Sequence, residues 1–269
     1  MCRVIAVCNN KGGVGKTTAS ANIAWGLARR GFKVGVIDLD PQGNLSDMML
    51  GGWADRSGIM ESTSAGEAPG MNNAYIFFAG PNLPVPIKDE DRNIDVFPCT
   101  NHLAQVAEEK NEDSFDGFSE KLEKVVAKYK YDFVIIDTLP SLTNLQVLAI
   151  MCATDILIPT SFEKLGVQGV HHMLDTTRKI QRNNDVRVLG VFNAMGDSRE
   201  TINEGGWKDL LIDSCGDLLL QTKITQSVKV KEASTFNMSC YEYSKQSKQS
   251  VQYEELIEEL LERMEIGNA

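Results

Sequence analysis

The stretch VIAVCNNKGGVGKTT, residues 4–18, organises the rest of this chain. Its first part is a short, apolar, β-branched run, which predicts a buried strand. Three glycines follow, and they allow a tight turn that aims several backbone N–H groups at one point. A helix is predicted from Thr17 onwards, so that point lies at a helix N-terminus, where unpaired N–H groups and the helix dipole favour an anion. The stretch therefore predicts a cradle for phosphate groups.

The spacing of the glycines and of Lys16 is that of a P-loop, with one departure. Lys16 is placed to reach the outer phosphates and the Thr17 hydroxyl to ligate Mg²⁺. The plain P-loop pattern has glycine where this chain has Asn10, and a second lysine, Lys11, follows it. A glycine-rich turn that binds nothing is the alternative, but it does not explain why strand, glycines, lysine, hydroxyls and helix occur in this order.

The run KGGVGKTT, residues 11–18, resembles the deviant Walker A box of the ParA/MinD family of ATPases. The resemblance implies that ATP and Mg²⁺ are the cofactors and that Lys11 reaches across a homodimer interface to the partner's nucleotide. Lys11 and Lys16 are then catalytic as well as nucleotide-binding. The implied ATP-binding residues are Lys11, Gly12, Gly13, Val14, Gly15, Lys16, Thr17 and Thr18.

Two further runs place carboxylates at strand ends. Val34–Ile37 predicts a buried strand that leads into DLDPQGN, residues 38–44, and Phe133–Ile136 predicts another that ends at Asp137. In open parallel sheets, ligands bind at the carboxyl ends of the strands. The first run resembles the family's switch I box, which implies that Asp40 activates the attacking water and that Asp38 helps to organise the Mg²⁺ side. The alternative is that Asp38 and Asp40 only cap the helix that starts near residue 44.

Asp137 is placed to hold Mg²⁺ through a water, as a Walker B aspartate does. The alternative is that it only caps the following helix. The family usually continues Asp-x-Pro-Pro after this aspartate, whereas this chain has Leu139 in place of the first proline.

Strands and helices alternate at least five times along the chain, which predicts an α/β fold: a three-layer P-loop NTPase domain whose mainly parallel sheet is covered by helices on both faces. A single domain over residues 1–269 is expected. Residues 51–93 are rich in Gly, Pro, Asn and Ser and predict an irregular, partly exposed insertion. Residues 245–264 predict a closing helix whose apolar stripe runs from Val251 to Met264.

Composition limits the classes of function. The first apolar run is cut short by NNKGG, and no apolar run approaches the roughly 18 residues of a spanning helix, so a soluble cytoplasmic protein without membrane contact is expected. The six cysteines form no Cys-x-x-Cys pair, which favours buried free thiols over zinc, disulfides or an iron–sulfur cluster. The net charge of −10 has the wrong sign for even coating of DNA, so DNA contact requires a local basic patch.

The resemblance becomes weaker after residue 193. Asn193, at a predicted strand end, resembles a family position whose amide recognises adenine, although asparagine is equally common in turns. The stretch 223–233 resembles a segment that contacts the base of the nucleotide and whose basic residues bind DNA non-specifically in the dimer. Here that role would fall to Lys223, Lys229 and Lys231, with Arg199. The alternative is a solvated charged face.

The resemblance to ParA/Soj-type partition ATPases covers most of the chain and implies plasmid or chromosome partition by an ATP-sandwich dimer with a ParB-type partner, associated with the nucleoid when ATP is bound. Two alternatives stay open. A MinD-like positioning ATPase would need a basic membrane-binding helix, whereas the last helix is rich in glutamate. A P-loop synthetase acting on a small acid would bind ATP but not DNA.

Overall fold

The computed structural model describes residues 2–51, 71–108, 113–196 and 202–267. Within them, eight strands form one sheet in the order β3-β4-β2-β5-β1-β6-β7-β8. The strands are β1 (Arg3–Val7), β2 (Val34–Asp38), β3 (Ile87–Asp89), β4 (Ile94–Phe97), β5 (Phe133–Asp137), β6 (Asp155–Thr160), β7 (Arg187–Gly196) and β8 (Leu219–Thr225). All pairs are parallel except β3–β4.

Helices cover both faces of the sheet, which confirms the predicted α/β architecture. The helices are α1 (Lys16–Arg29), α2 (Asn44–Leu50), α3 (Leu103–Glu108), α4 (Asp113–Tyr129), α5 (Asn144–Cys152), α6 (Lys164–Ile180), α7 (Ile202–Cys215), α8 (Val228–Thr235), α9 (Cys240–Tyr243) and α10 (Lys248–Arg263). The core on one face is built from α1, α2 and α10. The core on the other face is built from α3 to α7.

The sheet brings three strand ends together at its centre. β1 lies between β5 and β6, and β5 lies between β1 and β2. Val7 is opposite Asp137, and Asp137 is opposite Asp38, so the last residues of β1, β5 and β2 are in register. The chain runs from β1 to one side of the sheet first and to the other side later, and the carboxyl edge at such a switch point is where these folds bind ligands.

Of the predicted insertion at residues 51–93, residues 52–70 lie outside the described residues. The part from residue 71 contains a 3₁₀ helix, Ala74–Phe77, and the edge strand β3. Phe77 is fully buried and makes edge contacts with Phe97 and Phe118, each at 5.3 Å between ring centroids. Lys121 of α4 donates to the carbonyls of Ile76, Ala79 and Gly80 at 2.7–2.8 Å. A local reading of glycine and proline content misses these long-range contacts.

The last helix packs on the domain as predicted. Its glutamates are used within the chain: Glu254 pairs with both Arg29 and Arg30, and Glu259 accepts from the backbone N–H groups of Gln221 and Thr222. Most of the predicted apolar stripe is buried, but Val251 is 49% exposed. No helix in the described ranges is both long enough and apolar enough to cross a membrane. All six cysteines are free thiols, as expected.

Candidate nucleotide-binding site

The loop between β1 and α1 has the backbone of a phosphate cradle. Gly13 and Gly15 have φ angles of 74° and 81°, in the left-handed region that favours glycine. Gly15 is the N-cap of α1 and makes no side-chain cap, so the first N–H groups of the helix face the loop. Asn9 fixes the start of the loop, because its amide donates to the Pro159 carbonyl at 2.7 Å while its oxygen accepts from the N–H of Lys11 at 2.9 Å.

Lys16 is held at the floor of this loop. Its side chain donates to the Lys11 carbonyl at 3.2 Å, and the residue is only 6% exposed. Burial lowers the pKa of Lys16, and the nearby carboxylates of Asp137 and Asp40 oppose that effect. A buried ammonium that donates to a backbone carbonyl can also meet an incoming phosphate.

Asp137 is fully buried beneath the first turn of α1. Its two oxygens accept hydrogen bonds from Thr17 Oγ1 and Ser20 Oγ, both at 2.8 Å. Thr17 and Asp137 are predicted from the sequence, whereas Ser20 is not. Ser20 lies one helical turn after Thr17 and therefore on the same side of α1. This arrangement brings the predicted hydroxyl ligand and the predicted strand-end carboxylate into direct contact.

Asp38 lies beside Asp137 and is also fully buried. One of its oxygens accepts from the N–H and the hydroxyl of Ser46, at 2.8 and 2.6 Å, and the other accepts from the Asp40 N–H at 3.1 Å. Asp38 therefore bonds the first turn of α2, as the capping alternative proposed, and still stands next to Asp137. Both the capping and the metal-side interpretations are compatible with this position.

Burial raises the pKa of both carboxyls. The pKa of Asp38 rises to about 7, chiefly through burial and then through the charge of Asp137. The pKa of Asp137 rises to about 6 through burial, although hydrogen bonds from Thr17 and Ser20 and the charge of Lys16 act against this rise. Two neighbouring carboxylates with few opposing charges attract protons or a cation. The electrostatics therefore suit a divalent cation at the Thr17–Asp137 contact.

Asp40 and Lys11 lie at different sides of the loop. Asp40 faces the cavity described below, and its oxygen accepts from the Gln42 N–H at 3.0 Å. Lys11 turns towards the start of α6, where its ammonium forms an ion pair with Glu163 and donates to Ser161 Oγ at 3.1 Å. No sequence signal near Lys11 pointed to Ser161 or Glu163, because they are some 150 residues away.

A cavity of about 540 Å³ opens over the loop. Its walls come from residues 12–18, from α2, from the end of β7 and from the segment after β8. This volume lies within the range of pockets that hold small-molecule ligands. The predicted residues Gly12, Gly13, Gly15, Lys16, Thr17, Thr18 and Asp40 all contribute to its lining.

The described candidate residues from 193 onwards lie in three different places. Asn193 is 2% exposed, and its side-chain oxygen accepts a hydrogen bond from the Met195 N–H at 3.2 Å, a contact typical of a turn. Its neighbours Ala194 and Met195 line the cavity. Lys223 lies in the edge strand β8, whereas Lys229 and Lys231 lie on α8. Arg199 lies outside the described residues.

Comparison with known proteins identifies the family of this chain. Residues 2–188 match the model of a family described as an AAA domain. The chain is 31% identical to the chromosome partitioning protein ParA of Caulobacter vibrioides over 265 residues, which cover 97% of this chain and 94% of that protein. The chain belongs to the ParA/Soj family. It is also 28% identical to the chromosome-partitioning ATPase Soj of Treponema pallidum, with 98% of each chain covered.

Solved structures show the same fold. A plasmid partition protein from Borrelia burgdorferi bound to AMPPNP superposes with a TM-score of 0.75 at 21% identity and covers 98% of each chain. Cobyrinic acid a,c-diamide synthase of Mycobacterium smegmatis, bound to an ATP analogue and magnesium, gives a TM-score of 0.76 at 26% identity, with 98% of this chain and 96% of that chain covered. The ParA/Soj chain described here therefore has the P-loop NTPase fold, a fold that partition proteins share with a synthetase.

The raised pKa of Asp137 gives a testable pH dependence. Between the ordinary aspartate pKa of about 3.9 and the folded value of about 6, the folded protein binds more protons than the unfolded chain, so the free energy of unfolding falls as pH rises through that window. We expect Asp137→Asn, which can still pair with the two hydroxyls, to unfold at pH 8 with a free energy about 1–3 kcal/mol higher than the wild type when nucleotide and metal are absent.

Urea denaturation at pH 4 and pH 8 measures this difference, with the exposed Asp213→Asn as the control for loss of one negative charge. An Asp137→Asn protein whose free energy of unfolding falls with pH as steeply as that of the wild type would contradict the assignment of the penalty to Asp137.

Proposed function

We propose that this chain is a Mg²⁺-dependent ATPase that dimerises on ATP, binds DNA without sequence preference and drives partition of a plasmid or chromosome with a ParB-type partner. The observation that carries the proposal is the direct contact of Thr17 with the buried Asp137 beneath the glycine loop. The family relationship to ParA and Soj supports the partition role.

The residues present fit Mg·ATP. The left-handed Gly13 and Gly15 leave N–H groups facing the loop, and Lys16 is available at its floor. Thr17 and Asp137 would hold the cation, with Asp38 beside them. Bound Mg·ATP would supply the phosphoryl group to be transferred and a metal charge that stabilises the transfer.

The chain's own residues have distinct roles in this proposal. The loop N–H groups and Lys16 hold the phosphates, so that charge developing on them is stabilised. Asp40 orients the attacking water at the cavity wall and accepts its proton. Asp38 accepts hydrogen bonds from the Ser46 hydroxyl and the Asp40 N–H. A shift of Asp38 on cation binding would therefore also move the first turn of α2. Hydrolysis would then dissolve the dimer, and the ParB-type partner would stimulate that step.

Lys11 is proposed to serve the nucleotide of the facing subunit. In the single chain it pairs with Glu163 and Ser161 on the α6 side. Two exposed apolar side chains, Leu142 and Leu165, lie on the segments after β5 and β6, the strands that flank β1. Burial of such side chains together with a lysine that meets a second triphosphate would favour dimerisation.

We expect Lys11→Ala to stay monomeric with Mg²⁺ and a non-hydrolysable ATP analogue, because the charge that bridges the two subunits is lost, while the wild type doubles in mass. Light scattering at matched protein concentration measures this, with Lys179→Ala at the far end of α6 as the control. A nucleotide-dependent dimer of Lys11→Ala would remove Lys11 from the interface.

DNA binding by an acidic chain must come from a local patch. Lys229 is exposed on α8 and donates to Ser244 Oγ at 3.3 Å, and Lys223 lies in the edge strand β8. A dimer would present both lysines twice. Lysine is an adequate point charge for phosphate, although it lacks the fork of arginine.

We expect a gel shift on arbitrary duplex DNA only with ATP, and one that weakens steeply between about 50 and 200 mM salt. Lys229→Gln should lower the slope of log affinity against log salt by about one for each subunit, because each phosphate contact contributes roughly 0.9 to that slope. Lys128→Gln on α4 is the control. Absence of a shift with every nucleotide would contradict the partition role and favour a synthetase like the one from Mycobacterium smegmatis.

A further inference from the structure

One wall of the cavity is a face of α8. Among the residues that line the cavity are Ser227, Val230, Lys231 and Ser234. Their spacing of three, four and seven residues places them on the same side of a helix. Ser227 is the N-cap of α8, with its hydroxyl accepting from the Lys229 N–H at 3.2 Å, and Ala233 is buried against the domain. The orientation of this face towards the cavity is therefore fixed at both ends.

The two lysines of α8 have different surroundings. Lys229 donates to Ser244 Oγ at 3.3 Å, on the link between α9 and α10. Lys231 is exposed and contributes to the rim of the cavity. The resemblance of the stretch 223–233 implies DNA contacts for both lysines, but residues two apart on a helix do not share a face.

The charged residues around the cavity indicate a role for Lys231. Among the described lining residues, the basic side chains are Lys16 and Lys231, and the acidic ones are Asp40 and Asp47. Lys16 belongs to α1 and Lys231 to α8, so the two basic residues stand on different walls of the cavity. Lys11 does not supply this charge in the single chain, because it is paired with Glu163 on the α6 side.

We propose that Lys231 binds the phosphate chain of the nucleotide in its own subunit and is not a DNA contact. This inference rests on the proposed function, because it needs a nucleotide in the cavity. An exposed lysine carries a compact charge on a flexible four-carbon stem, which suits a phosphate oxygen of a ligand in the same cavity. Such a contact would also hold α8, and with it the outward-facing Lys229, in one position whenever nucleotide is bound.

The test compares Lys231→Gln with the wild type, with Lys231→Arg as the variant that keeps the charge and Lys248→Gln on α10 as the control. Isothermal titration calorimetry with Mg²⁺ and a non-hydrolysable ATP analogue gives the dissociation constant, and the same titration with its 2′-deoxy form separates phosphate from sugar contacts. Circular dichroism verifies that each variant is folded. DNA binding is measured at saturating nucleotide.

We expect Lys231→Gln to raise the dissociation constant about tenfold for both forms of the nucleotide, since a charge-assisted hydrogen bond to phosphate is lost. Lys231→Arg should restore most of the affinity, and the salt slope of DNA binding at saturating nucleotide should be unchanged. An unchanged dissociation constant with a lower salt slope would overturn the inference and return Lys231 to DNA. A loss seen only with the ribose form would overturn the phosphate contact. If the wild type takes up no nucleotide, the proposed function itself fails.

Discussion

The buried carboxylate of Asp137, held by the hydroxyls of Thr17 and Ser20, is the interaction on which the rest of the site depends. It joins the end of a central strand to the first turn of the helix that follows the glycine loop. Both hydroxyls act as donors, so the carboxylate is satisfied only while α1 begins where it does. Moving α1 by a fraction of a turn would leave a buried charge without partners, which is costly.

The hydrogen bonds in this contact also offset part of the cost of burying two neighbouring carboxylates. Asp38 and Asp137 end neighbouring strands in register, and burial raises the pKa of each. Without a cation, at least part of this pair takes up protons near neutral pH. A cation held at the same place would offset the repulsion between the two carboxylates, and that relief would contribute to its binding energy.

Much of this could be predicted from the sequence because the signals are local. Glycine spacing, a buried strand and a hydroxyl after a lysine lie within fifteen residues, and strand-end aspartates follow apolar runs. The contact partners of such residues could not be predicted from the sequence. Glu163 pairs with Lys11 although some 150 residues separate them, and Phe77 packs against Phe97 and Phe118. Such contacts depend on strand order, which local periodicity does not contain.

The same limit applies to the basic residues. Charge in the stretch 223–233 was visible in the sequence, but the structure divides it between an edge strand and two directions around α8. The resemblance of this stretch implied one partner for all of them, although residues close in sequence can face different ligands. Lys231 lines the cavity over the glycine loop and Lys229 does not, and this difference follows only from the helix and its neighbours.

The most direct test of the central contact is the dependence of ATP binding on Mg²⁺. Calorimetry with the wild-type chain should show binding at least about tenfold tighter with Mg²⁺ than with EDTA, since Thr17 and Asp137 are proposed to hold the cation. Thr17→Val, which keeps the shape of the side chain and removes the hydroxyl, should abolish that difference. Equal affinity with and without Mg²⁺ in the wild type, or an undiminished difference in Thr17→Val, would contradict this view of the site.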